Sequence, residues 1–182
     1  LGSYAQGRHV GTFGDIGAFS FNGNKIITTG GGGMIVTNDE TIAHRAKHLT
    51  TTAKVTHPYE YVHDETGYNY RLPNLNAALG CAQMEKLEWM LAQKRDVTQR
   101  YREFFDKAGV EMMKPLDGDV ANNWLNAIVL DSRAERDEFL EYTNSQGVMT
   151  RPIWRLMSDL PMFRGAQNDG LEQSKWLEER VI

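Results

Sequence analysis

Lys25 sits in the stretch FNGNKIITTGGGGMIV, residues 21–36, just before four consecutive glycines. A lysine in such a place is either a solvated charge beside a turn or an amine aimed at a carbonyl. An amine that forms a Schiff base must spend part of its cycle neutral, which needs a partly desolvated site. Ser20 lies five residues earlier, between Phe19 and Phe21. Its hydroxyl could hold a phosphate while the aromatic rings exclude water. The glycines alone are weaker evidence. A phosphate-binding loop needs its lysine after the glycines and a helix beyond, and here the lysine precedes them and a strand follows. The dinucleotide fingerprint fails for the same reason. By spacing alone, Gly30–Gly33 fit a tight turn or a close backbone approach.

The histidines offer a second chemistry. His44 and His48 are spaced i, i+4 on an expected helix, and His57 and His63 follow. A zinc hydrolase of the H-E-x-x-H kind needs a glutamate between its histidines, whereas this segment reads HRAKH. Arg45 and Lys47 would repel a divalent cation, so no metal is expected. Ser20, Asp15 and a histidine form a hydrolase triad only on paper, since no G-x-S-x-G elbow is present.

The elements that must carry these residues have an α/β pattern. IGAFSF and GGMIVT read as short strands of a buried sheet. Asn38-Asp39 caps a helix bearing Ile42, Ala43, Ala46 and Leu49. Residues 50–74 lack a helical period and are rich in Tyr, His and Asn, as a binding or interface loop would be. From Asn74, Leu75, Ala78, Leu79, Ala82, Leu87, Met90, Leu91, Val97, Tyr101 and Phe104 trace one apolar face of a long helix or of two in succession. Asp106–Asp119 is turn-rich, which sets the expected domains at 1–106 and 107–182. NWLNAIVL then reads as a strand, Ser132 and Glu135 as a capping box with Phe139 and Leu140 on the buried face, and Gly147 as the helix stop. VMTRPIW reads as an edge strand limited by Pro152, and LEQSKWLEERVI as a helix.

Bulk properties narrow the classes. The 182 residues are 41% hydrophobic and 24% charged with a net charge of −4, ordinary for a globular protein and unsuited to general binding of nucleic acid or anionic membranes. One cysteine, Cys81, precludes an internal disulfide framework and fits a reducing cytosol. No apolar run approaches the ~20 residues a membrane helix needs, and no signal peptide is visible. Leu1 and Val181-Ile182 read as cuts through a longer chain.

At this point the sequence resembles a known family. GTFGDIGAFSFNGNKIITTGGGGMIVTND is similar to the lysine segment of DegT/StrS-type sugar aminotransferases, fold type I enzymes that depend on pyridoxal 5'-phosphate (PLP). GYNYRLPNLNAALGCAQMEKL resembles their second hallmark, a loop opening a long helix, and TRPIWRLM a strand of their small domain. The implied fold is the later part of the large PLP-binding domain followed by a small α/β domain, truncated at both ends. The resemblance makes Lys25 the Schiff-base lysine and proton carrier, Ser20 a ligand of the PLP phosphate, and Asn69 a phosphate ligand for the neighbouring subunit of a homodimer. It makes Arg71 a holder of a donor carboxylate or phosphate, with Tyr68, His57 and Arg151 as further substrate-side candidates. It implies an amino donor, glutamate, and a nucleotide-sugar acceptor in the cytoplasm.

The wider segment from His48 to Asn74 looks most like the subgroup aminating UDP-4-keto-6-deoxy-N-acetylhexosamines of the bacillosamine and legionaminate routes. Two departures stand out. The aspartate that pairs with the pyridine nitrogen is expected upstream of Leu1, so the isolated chain is expected to be inactive. Ser158 stands where many members carry a histidine. Sugar dehydratases of the family replace the lysine with histidine, which Lys25 argues against, and a non-catalytic regulator is disfavoured by the joint presence of Ser20, Lys25 and Asn69.

Overall fold

The computed structural model describes residues 1–182. They divide into two compact units, Leu1–Asp96 with Pro115–Trp124, and Val97–Lys114 with Leu125–Ile182. The boundary expected at 106/107 falls inside the second unit. The reason is packing: Phe105 and Val110 both lie against the core of that unit.

In the first unit, β1 (Tyr4–Ala5) and β2 (Arg8–His9) form a small antiparallel hairpin. The next hairpin matters more. β3 (Gly17–Ser20) and β4 (Gly33–Val36) pair antiparallel, from Gly17 opposite Val36 to Ser20 opposite Gly33. The Lys25 segment is thus the loop of this hairpin. Met34 and Ile35 are adjacent in β4 and so point to opposite faces, yet they are 52% and 49% exposed. The buried sheet expected from the sequence is therefore only two strands here, apolar and open on both sides of β4.

Helix α1 (Glu40–Thr50) starts where the cap residue predicts, the Asp39 carboxylate accepting the Ile42 N–H at 3.0 Å. The following loop contains the short pair β5 (Lys54–Val55) and β6 (Val62–His63). Helices α2 (Asn74–Met84) and α3 (Leu87–Ala108) then follow in succession. Of their apolar face, Leu91 is buried, while Leu75 is 87% and Phe104 64% exposed. The stripe is continuous in sequence, but this chain supplies no second surface along its whole length. No helix is long and apolar enough to cross a membrane.

In the second unit, β7 (Glu111–Met112) pairs with β8 (Ile128–Val129), and Met112, Ile128 and Leu130 form the core with Phe139 and Ile182 against them. The carboxy-terminal residues extend this pairing, Ile128 and Ile182 exchanging N–H···O bonds of 3.0 and 3.1 Å. Helix α4 (Arg133–Ser145) is capped by Ser132, whose Oγ accepts the Glu135 N–H at 3.2 Å. The return arm of the box is displaced by one residue: Glu135 accepts from the N–H of Asp131. Gly147 follows the helix at φ +77°, as its stop requires.

Two expected strands change. NWLNAIVL is strand only at Ile128–Val129, and VMTRPIW contains none. The latter is tied by one ladder-like bond, Ile153 N–H to Val181 O at 3.1 Å, and Pro152 has no N–H to offer beside it. Helix α5 (Glu172–Arg180) completes the chain.

Candidate active site

The loop that presents Lys25 is held by backbone and by two side chains of α2. Phe21 is buried, its N–H donating to Gly32 O at 3.0 Å and its carbonyl accepting both the Thr29 N–H and the Thr28 hydroxyl. The Lys25 N–H closes a turn on Asn22 O at 3.0 Å. From α2, Gln83 accepts the Thr28 N–H at 3.2 Å and Asn76 donates to Thr29 O at 2.5 Å. Seven residues apart, these two amides lie on one helix face. Thr29 is 1% exposed and its hydroxyl donates to Gly31 O.

The glycines have distinct roles. Gly32 has φ +89°, and a Cβ on it would come within 2.7 Å of Leu72. A Cβ on Gly33 would lie 2.4 Å from the Phe19 carbonyl, a backbone atom with no freedom to withdraw. Both serve a sharp turn and close backbone contact.

The Lys25 side chain is half-buried, and its amine lies over the indole of Trp124, 3.6 Å from the ring centroid. The flanking phenylalanines act elsewhere: Phe21 is in the base of the loop and Phe19 packs on His9 at 5.4 Å. Sequence reasoning missed Trp124. No local signal links a residue 99 positions away to the lysine; only its aromatic type beside the polar Asn122-Asn123 pair could have drawn notice. Ser20, at the end of β3, is exposed and accepts the Asn22 N–H at 3.4 Å.

The second hallmark loop is fixed differently. Tyr68 N–H donates to Leu49 O at 2.7 Å and Tyr70 N–H to Thr50 O at 3.0 Å, setting Asn69 opposite Thr51. Tyr68 and Tyr70 stack at 5.2 Å, and Asn69 and Arg71 are exposed. The same loop is tied to α1 by an ion pair, Arg45 to Glu65 through both guanidinium ends, and by a hydrogen bond between His48 and Asp64 at 2.7 Å. Hydrogen bonds from Arg45 and His48 hold the Glu65 and Asp64 carboxyls below their ordinary values, and the Glu65 contact raises Arg45. His48, Asp64 and Glu65 bring ligand-type atoms within 4.8 Å of one another, but the Arg45 guanidinium already occupies Glu65, which makes this an ion-pair cluster.

Arg71 lines a cavity of about 1210 Å³ beside β4, together with Met34, Ala46, Lys47 and Pro73. Lys25, Ser20 and Asn69 do not line it. His57 is engaged locally, its Nδ1 accepting the Glu60 N–H at 2.9 Å. Arg151 belongs to the second unit and donates to Thr150 O at 3.1 Å. What the structure brings together is thus Lys25 with Trp124, while Arg71 and Lys47 share only the lining of one cavity.

The donors near the hairpin loop suit an aldehyde that carries a phosphate. The amine of a half-buried lysine faces an aromatic ring rather than a carboxylate, and an exposed serine hydroxyl ends the adjoining strand. The amine matches the aldehyde and the hydroxyl the phosphate.

Known proteins show what the chain as a whole is similar to. GDP-perosamine synthase of Escherichia coli O157:H7 is 38% identical over 163 residues, 90% of this chain and 44% of that protein. The UDP-4-amino-4,6-dideoxy-N-acetyl-beta-L-altrosamine transaminase of Campylobacter jejuni subsp. jejuni serotype O:23/36 (strain 81-176) is 36% identical over 108 residues, 59% of this chain and 29% of that one. Helicobacter pylori PseC, an aminotransferase involved in the biosynthesis of pseudoaminic acid, superposes with a TM-score of 0.90 at 22% identity, over 98% of this chain and 50% of PseC. The chain therefore spans less than half the length of these curated relatives and has the architecture of part of a fold type I enzyme. All of residues 1–182 match one family description. The chain belongs to the DegT/DnrJ/EryC1/StrS aminotransferase family, whose cofactor is PLP.

Proposed function

We propose that the protein transfers an amino group, from glutamate, to C4 of a nucleotide-linked 4-keto-6-deoxy sugar used in surface glycans. The observation that carries this reading is half-buried Lys25 on a loop braced by α2 and covered by Trp124, in a chain that matches the family along its whole length. Bound PLP supplies the electron sink that makes the exchange of amine and keto groups feasible.

Lys25 would hold the cofactor through its Nζ and would carry the proton that the exchange moves. Ser20 donates its hydroxyl to the phosphate. Asn69 serves the phosphate of the neighbouring subunit in a homodimer, consistent with its exposure on a loop pinned by its own backbone. Arg71 takes a carboxylate or phosphate, as a guanidinium fork suits. Tyr68, His57 and Arg151 stand on the substrate side. The working compartment is the cytoplasm, where nucleotide sugars are made.

The names of the relatives support nucleotide-sugar amination for this chain, with GDP- and UDP-linked acceptors both represented. The test is borohydride reduction of the whole protein with PLP, followed by peptide mapping. The expected adduct is on Lys25, and an adduct on Lys47 or Lys54 instead overturns the assignment. Incubating the same preparation with glutamate and GDP- or UDP-linked 4-keto-6-deoxy sugars should yield an amino sugar by mass. Turnover with neither would refute the substrate class.

A further inference from the structure

We infer that Trp124 is a positioning residue for Lys25, its indole face holding the ammonium in place whenever the amine is not engaged with the cofactor. This rests on the reading of Lys25 as the cofactor lysine.

The contact is built rather than incidental. The indole N–H donates to Asn24 O at 2.5 Å, so the ring is fastened to the residue next to the lysine it covers. The backbone behind the ring is anchored separately. Trp124 N–H donates to the Asn122 side chain at 3.0 Å, and Asn122 in turn bonds Ser3 Oγ at 3.1 Å and Leu1 O at 2.8 Å. Two residues earlier, Val120 and Tyr4 exchange 2.8 Å bonds in both directions. A segment far away in sequence is thereby held to the start of the chain, with its one large aromatic laid on the Lys25 amine.

The chemistry follows from the ring's quadrupole. An indole face attracts an ammonium strongly and a neutral amine weakly. The ring thus restrains a long, rotamer-rich side chain in its charged form and releases it once the amine has given up its proton, the form in which it reacts. A carboxylate in the same place would hold the ammonium more tightly and oppose its reaction.

The test uses the whole protein free of cofactor. Lysine amines are labelled with trace acetic anhydride, and Lys25 is compared with Lys47 by peptide mass. Trp124→Leu should raise relative Lys25 labelling about two- to fivefold, the range of a partly exposed cation–π contact. Trp124→Phe, which keeps a ring face but loses the N–H, should lie near the wild type. Unchanged labelling in Trp124→Leu overturns the proposal, and so does an equal rise in both variants, since loop loosening alone would produce it. Where Trp124→Leu does not fold, Lys25→Met serves: the Trp124 indole N–H resonance should shift on loss of the cation, and an unmoved resonance is the refuting result. Borohydride mapping of the wild type separates the two readings. An adduct away from Lys25 sinks the cofactor assignment, whereas an adduct on Lys25 with unchanged labelling sinks only the role of Trp124.

Discussion

The two loops that carry the family's hallmarks are fixed by opposite means. Residues 21–33 are held by buried threonine, backbone carbonyls and amides of α2, all uncharged. Residues 57–71 lie exposed, joined to α1 by backbone bonds and by the Arg45–Glu65 and His48–Asp64 pairs. The first arrangement resists salt and pH and tolerates little change in shape. The second is adjustable, as suits a loop proposed to reach a neighbouring subunit. Neutral, buried ties place a reacting atom; charged, exposed ties place a contact that must form and part.

The largest expected effect comes from breaking one loop in each of two subunits. Lys25→Ala should lower turnover of the whole protein by about 10²–10⁴-fold from lost proton transfer alone. Asn69→Ala should impair it less. If Asn69 serves the other subunit, unfolding and refolding the two variants together restores one intact site in each mixed dimer, about a quarter of all sites given two-fold symmetry. Turnover no higher than either parent, with mixed dimers confirmed by mass, would place Asn69 outside the partner's site.

Next is the rigidity of the first loop. Gly33→Ala should destabilise the protein by about 1–3 kcal/mol, because its methyl meets the Phe19 carbonyl. Gly31→Ala meets nothing within 4 Å and should stay within about 0.5 kcal/mol in a denaturant melt. Equal costs would mean the hairpin is looser than drawn.

The smallest effect concerns the second loop under acid. The Asp64 and Glu65 carboxyls titrate below their unfolded values of 3.8 and 4.5, so their contribution is complete above those values and fades as the pH falls through the lower, folded ones. Hydrogen exchange at the Tyr68 and Tyr70 amides should quicken there, and Arg45→Gln should quicken it modestly at neutral pH. Exchange indifferent to both would assign the loop's order to its backbone bonds alone.

The sequence made the helices readable because their signals are local. Asp39, Ser132 and Gly147 act within four residues of the groups they satisfy. The strands were harder. NWLNAIVL and VMTRPIW have strand composition, but pairing depends on a neighbour, and only Ile128–Val129 finds a full one. The family resemblance pointed to Lys25 and Ser20, while the ring over the amine depends on bonds from Asn122 to Leu1 and Ser3, a closure no local pattern encodes. The domain boundary shifted for a similar reason, since turn-rich composition marks where a chain can bend rather than which core each side joins.

Strand β4 has a consequence for handling the protein. Its run Gly33–Thr37 contains no Lys, Glu, Asp or Pro, the residues by which natural edge strands deter one another. With apolar side chains open on both faces, it is an unguarded template for a third strand: another of the same kind. Salt screens the net charge of −4 that sets copies of this chain apart, so self-association should grow with concentration and with salt. Light scattering that stays flat under both would show that the edge is already blunted.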